Sequence, residues 1–158
     1  MKLFCSALAS GKHIPAKYAN KGIPGGQNIS LPLTWSGVPQ GTKSFALSMV
    51  DQHPLAKGCV HWAVINMSAN AREIAEDASG RPRRLPPGSI ELRNGFGKTG
   101  YGGPQLPRGS SPHEYLIMLY ALDAEELQFG PLSHFTQFQT EVPPKALDFS
   151  SLVAWFAP

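Results

Sequence analysis

The chain has 158 residues, enough for one full hydrophobic core and too few for two ordinary domains, so a single domain over 1–158 is expected. A hydrophobic share of 42% with 16% charged residues excludes a disordered chain, and 16 glycines with 15 prolines punctuate strands and turns rather than build helices. The formal charge of +3 comes from scattered lysines and arginines, which argues against nucleic acid and favours a small anionic ligand.

Met1-Lys2 followed by Leu-Phe-Cys-Ser-Ala-Leu-Ala9 reads either as a short signal peptide or as a first strand with a turn at Ser10-Gly11. Asn28-Ile-Ser30 is a glycosylation sequon only if the chain is secreted. The stretch Asn28 to Trp35 alternates weakly and carries prolines, which predicts an edge strand. Lys43 to Asp51 is a strand with Phe45, Leu47 and Met49 on one face, and Asp51 ends it on that face. His61 to Asn66 is another, rich in residues that pack on a pleated surface. A short helix is expected over Ala69 to Asp77, then a loop region from Ser79 to Gly95. Glu114 to Leu122 is the strongest strand. A helix interrupted near Pro143-Pro144 is expected between Leu132 and Ala146, and Ser151 to Phe156 closes the fold as a last strand. Strands dominate and their connections are short, so the predicted fold is mainly β and antiparallel. No stretch reaches the apolar length of a membrane span. Cys5 and Cys59 are too few for a disulfide scaffold, and reduced thiols in a cytoplasmic protein are the plainer reading.

Immediately before the strongest strand lies a loop of glycine and proline, Gly95 to Pro112, ending in His113-Glu-Tyr115. Gly95-Phe-Gly97-Lys-Thr-Gly100 matches the dinucleotide pattern, but more glycine and proline follow, so no helix opens there to hold a pyrophosphate. Gly97-Lys98-Thr99 mimics the tail of a phosphate-binding loop, yet the glycine required upstream is Leu92. His113 and Tyr115 alternate on one strand face, and the glycine loop is expected to bring backbone N–H groups beside them. With Asp51, His53, Pro54 and His61 they form the one constellation that suits chemistry. Imidazole and phenol donors would bind a phosphate-like anion, with Asp51 orienting one ring. A rival from another class is a metal-dependent hydrolase with His53, His61 and His113 as ligands and Asp51 as base. No H-E-x-x-H or comparable ligand spacing supports it.

The segments Asn28 to Trp35, Gly41 to Phe45 leading to Asp51, His61 to Asn66, Gly88 to Pro104, and Pro107 to Tyr115 with Tyr120 to Asp123 together resemble the phosphatidylethanolamine-binding protein family, in its prokaryotic Raf-kinase-inhibitor-like branch. The resemblance implies a large antiparallel sheet packed on a smaller one with short helices at the side. It implies that Phe4 belongs to a first strand, and it places an anion pocket on Asp51, Pro54, His61, Gly103, His113 and Tyr115. The family's Asp-Pro-Asp-Ala-Pro stretch is here the shorter Asp51-Gln-His-Pro54, so its second Asp is lost or replaced by His53. Gln105 stands where a cysteine is often found. His53–Pro54 is expected to be cis, the usual setting being a proline between a strand end and a tight turn. The function implied is non-enzymatic binding of phosphate or a phosphorylated head group, without a cofactor. A kinase or protease is the implied protein partner, and a second copy of the chain is a further candidate.

Overall fold

The computed structural model describes residues 1–8 and 12–157, and two antiparallel sheets share its core. The smaller runs β1 (Lys2–Phe4), β2 (Leu33–Ser36), β5 (Glu73–Ile74). The larger runs β6 (Ile90–Glu91), β4 (Val60–Ser68), β3 (Ser44–Asp51), β7 (His113–Leu122), β8 (Ala146–Phe156). One short helix, α1 (Phe135–Glu141), lies on the outer side. The predicted mainly β architecture is the one observed. Lys2–Phe4 pairs with Thr34–Ser36, which is the strand reading of the N-terminal segment. The Ala9 and Ser10-Gly11 features of the two N-terminal readings lie outside the described residues.

The alternation read from the sequence sets the layers. Phe45, Leu47 and Met49 of β3 face inward with Trp62 and Val64 of β4 and Ile117 and Leu119 of β7. They meet Leu3, Leu33, Trp35 and Ile74 from the smaller sheet. Each such side chain contributes about 1.5–3 kcal/mol on full burial. The outward face of the same strands (Ala46, Ala63, Ile65, Tyr120, Leu122) is covered by Phe138 and Val142, so β3 and β4 are buried on both faces. That second cover explains α1. Seven residues make a marginal helix alone, but Phe138 is buried, Phe135 stacks on it, and Gln137 bonds to Glu141 one turn on. The helix stops at Pro143-Pro144, which lack the N–H to continue it. β8 begins directly afterwards at Ala146, five residues earlier than expected.

Two expectations are corrected. The helix predicted over 69–77 is absent: Ile74 instead pairs opposite Leu33 and enters the core, and Asp77 sits at φ +58, outside the helical region. Arg72 donates to the carbonyls of Ala69 and Ala71, which a helix would have used itself. Nor is β2 an edge strand. It is the middle strand of its sheet, because Pro32 lies just outside the paired segment and costs the ladder nothing. Among the described residues no helix is long and apolar enough to cross a membrane.

Candidate functional site

The inward faces of β3 and β7 turn polar at one end. Asp51 closes β3 directly opposite Tyr115 of β7, and His113 lies two residues before it on the same face. Asp51 and His113 are each 3% exposed, and Tyr115 is fully buried. Burying these groups is costly unless they are paired. Asp51 is paired twice: Oδ1 accepts from the His53 backbone N–H at 2.8 Å, and Oδ2 accepts from His113 Nδ1 at 2.6 Å.

His61 reaches this cluster through an irregularity that the alternation could not reveal. On β3 and β4, Met49 opposes Trp62 but Val50 opposes Val60, so His61 is an extra residue bulged between them. A regular strand would send His61 to the face opposite Trp62, whereas the bulge lets both point inward. Its Nδ1 donates to the Gly102 carbonyl at 2.6 Å, and its Nε2 stands 4.0 Å from Asp51 Oδ2. The ring packs edge-on against Tyr115 and Phe96. Burial, the larger effect, holds its pKa below the ordinary imidazole value against the bond to Gly102 and the Asp51 charge. Tyr115 moves the opposite way. Burial first, and then the neighbouring Asp51 charge, push its phenol well above the usual range, so it remains a hydrogen-bearing donor.

Asp51, His61 and His113 line a cavity of about 220 Å³, with Cys59, Phe96 and Gln105 around it. Two buried polar atoms of the cluster lack a hydrogen bond of good geometry, His113 Nε2 and the Tyr115 hydroxyl, although the latter lies near enough to Asp51 for a weak bond to it. Phe96 and Cys59 escaped the sequence reading. A phenylalanine flanked by glycines at a loop tip was the available signal for the first. Cys59 carried none, and its thiol is held in the protonated form by burial and by the Asp51 charge.

The remaining expected residues take other places. His53 lies in a wall between two spaces: its ring stacks on His113 with centroids 3.9 Å apart and planes 2° from parallel. Its Nδ1 accepts from Leu55 N–H, and its Nε2 meets Ser111 Oγ at 2.9 Å. Pro54 lines a separate groove with Gln52, Glu114 and Trp155 on the far side of that wall. The His53–Pro54 bond is trans, against expectation, as is every peptide bond among the described residues. Pro54 opens a 3-10 turn with His53 as its extended N-cap residue, a position that suits proline without isomerisation. Gly103 is a packing residue. A Cβ there would lie 2.2 Å from the Tyr18 carbonyl oxygen, and its N–H is bound by Asn28 Oδ1.

Most N–H groups of the glycine loop are spent within the protein, rather than left free as expected. Those of Gly95, Gly97, Gly100 and Gly102 go to carbonyls of Val60, Asn94, Leu92 and His61, and those of Phe96 and Lys98 go to Asn94 Oδ1. The three imidazoles also fail to converge as metal ligands. Both His53 nitrogens are engaged elsewhere, and Nδ1 of His61 and of His113 is taken. Among the described residues no three His, Cys, Asp or Glu side chains are grouped so as to hold a metal ion.

Comparison with known proteins places the chain in a family. The sequence profile described as Phosphatidylethanolamine-binding protein matches residues 5–156. The UPF0098 protein YbhB of Escherichia coli is 36% identical over 159 residues, covering 99% of this chain and all of that one. YbcL of the same organism is 42% identical over 112 residues, a match that spans 61% of its length. The crystal structure of E. coli YbcL, described as a new member of the mammalian PEBP family, superposes with a TM-score of 0.90 at 30% identity, covering 99% of this chain and 98% of that one. A carboxypeptidase Y inhibitor, solved in complex with its cognate proteinase, shares the fold at 19% identity and a TM-score of 0.55, over 98% of this chain and 82% of that one.

Proposed function

The chain belongs to the phosphatidylethanolamine-binding protein family, and from that membership we propose that it is a non-enzymatic binding protein whose half-open cavity takes a small oxyanion, either phosphate or the phosphorylated head group of a larger molecule. One observation carries this reading. His113, which lines the cavity, has a buried Nε2 without a partner, and the buried Tyr115 hydroxyl beside Asp51 has no well-formed hydrogen bond. An unmade buried hydrogen bond costs about 1–3 kcal/mol, which a ligand oxygen would recover. The cavity suits a phosphoryl group in size, and Phe96 and Gln105 at its rim would meet whatever the phosphoryl group is attached to. Asp51 acts as the positioning residue, fixing the His113 ring through Nδ1. The proteinase inhibitor shares the fold alone, so the proposal stops at the ligand and does not extend to an inhibited enzyme.

Calorimetric titration of inorganic phosphate into wild type and Tyr115→Phe tests the reading. Loss of one good hydrogen bond is expected to weaken binding about tenfold. No heat with wild type, or equal affinity for both proteins, overturns it.

A further inference from the structure

The smaller sheet carries an open space of its own. A groove of about 400 Å³ runs between β5 and the turn at 84–87, and it shares no lining residue with the oxyanion cavity. β5 is the outer strand of its sheet, and among the described residues no further strand pairs with it. The Trp35 N–H donates to the Arg72 carbonyl at 3.0 Å, so the backbones of Arg72 and, two residues on, Ile74 are turned toward β2. The alternation of an antiparallel ladder then points the N–H and C=O of Glu73 the other way, along the uncovered edge. Glu73 and Ala75 line the groove while Ile74 is buried in the core, so this edge is the one that borders it. Leu85 and Pro86 give the groove an apolar wall.

Two exposed guanidiniums, Arg72 and Arg84, line this groove, and Glu73 is the one carboxylate among its lining residues. Arg72 is held in place by Nη1, which donates to the carbonyls of Ala69 and Ala71 at 2.9 and 2.6 Å. Nearby carboxylates are engaged elsewhere. Asp77 pairs with Arg81 at 2.8 Å and lies 3.8 Å from Arg84, while Glu76 is bound by Lys17 and Tyr18. Arg83 adds a further exposed cation on the same turn. We propose that the groove docks an extended, acidic segment of a partner protein, which adds as a strand to the β5 edge and sets its carboxylates on Arg72 and Arg84. A strand edge this short is a weak template by itself, and forked guanidinium–carboxylate bonds supply the affinity and the register that it lacks. An anionic membrane surface would meet the same charges but leave the Glu73 backbone unpaired, so the concave site favours a chain. The site is independent of the oxyanion reading above.

Amide NMR on the isotope-labelled full chain tests this, because it reads weak binding as well as tight. The probes are acetyl-Glu-Val-Glu-Val-Glu-Val-amide, its counterpart with Lys for Glu, and two N-methylated forms of the acidic peptide, one methylated at the Glu residues and one at the Val residues. The acidic peptide is expected to shift the amides of residues 72–75 and 84–85 and to bind at least about tenfold more tightly than the basic one, the worth of one charge-assisted bond. Only one alternating set of its N–H groups faces β5, so one methylated form should lose about tenfold and the other keep its affinity. Arg84→Gln, at an exposed position, should weaken binding about tenfold, and Glu73→Gln should strengthen it. No shift with the acidic peptide, shifts confined to other residues, or equal binding of the basic peptide overturns the proposal. Equal binding of both methylated forms overturns strand addition. Sedimentation with phosphatidylserine vesicles that is lost in Arg84→Gln, without peptide binding, assigns the arginines to a membrane instead. Each of these failures leaves the phosphate titration above unaffected.

Discussion

At the scale of single residues the cluster holds groups whose stability and binding roles oppose each other. The Tyr115 hydroxyl is buried with no well-formed hydrogen bond, so Tyr115→Phe removes a desolvated polar group and leaves the packing in place. Its melting temperature is expected to equal or exceed that of wild type while phosphate affinity falls, and calorimetry with thermal melts reads both. A drop of several degrees would mean that the hydroxyl already has a protein partner. His61 supplies a pH dependence of stability. Burial lowers its folded pKa, so the unfolded chain takes up that proton at higher pH than the folded one. This contribution is intact above about 6.5, the ordinary imidazole value, and is lost as pH falls through it toward the lower folded value. Urea unfolding from mildly alkaline to mildly acidic pH should therefore show a shallower decline for His61→Asn, whose amide can keep the donor to Gly102. Parallel profiles would show that His61 titrates alike in both states.

Secondary-structure elements decide which of these residues meet, and here the sequence was legible in part. The alternation Phe45, Leu47, Met49, Asp51 and the pair His113, Tyr115 stand on the predicted face, because a strand buried on an apolar core has one register that works. His61 was named for its place before Trp62, but its inward direction depends on the bulge, and a one-residue insertion leaves no trace in local pattern. Cys59, Phe96 and Gln105 reach the cavity only through the tertiary path of their loops. The 69–77 segment was misread because pairing of Ile74 with Leu33 overrode local helical preference. Two glycines separate packing from backbone freedom. Gly103→Ala drives a Cβ into the Tyr18 carbonyl and is expected to cost about 3 kcal/mol, the upper end of overpacking penalties. Gly109→Ala has open space but φ +80, and is expected to cost about 1–2 kcal/mol. Denaturant midpoints check the order, and a milder effect at Gly103 would contradict the packing.

Over the whole molecule, the cavity walls come from Asp51 and His61 on two neighbouring strands, Phe96 and Gln105 on the long loop, and His113 on β7. β8 holds the last of these in place: Phe156 lies opposite His113 and Ala154 opposite Tyr115, both buried. Deleting residues 146–158 would strip β7 of its outer partner and the core of both side chains, so the shortened chain is expected to lose its β-sheet circular dichroism and to aggregate. A folded monomer would refute that dependence. The inward face of β3 and β7 is thus core for most of its length and the proposed binding site at its end. The proposed phosphate would add contacts to β3, β4 and β7 at the end of that core. Saturating phosphate at about a hundred times its dissociation constant should add about 2.7 kcal/mol to the folded state. Amide hydrogen exchange would carry that gain far from the phosphoryl group, slowing along the length of β3, β4 and β7, including positions that never touch the ligand.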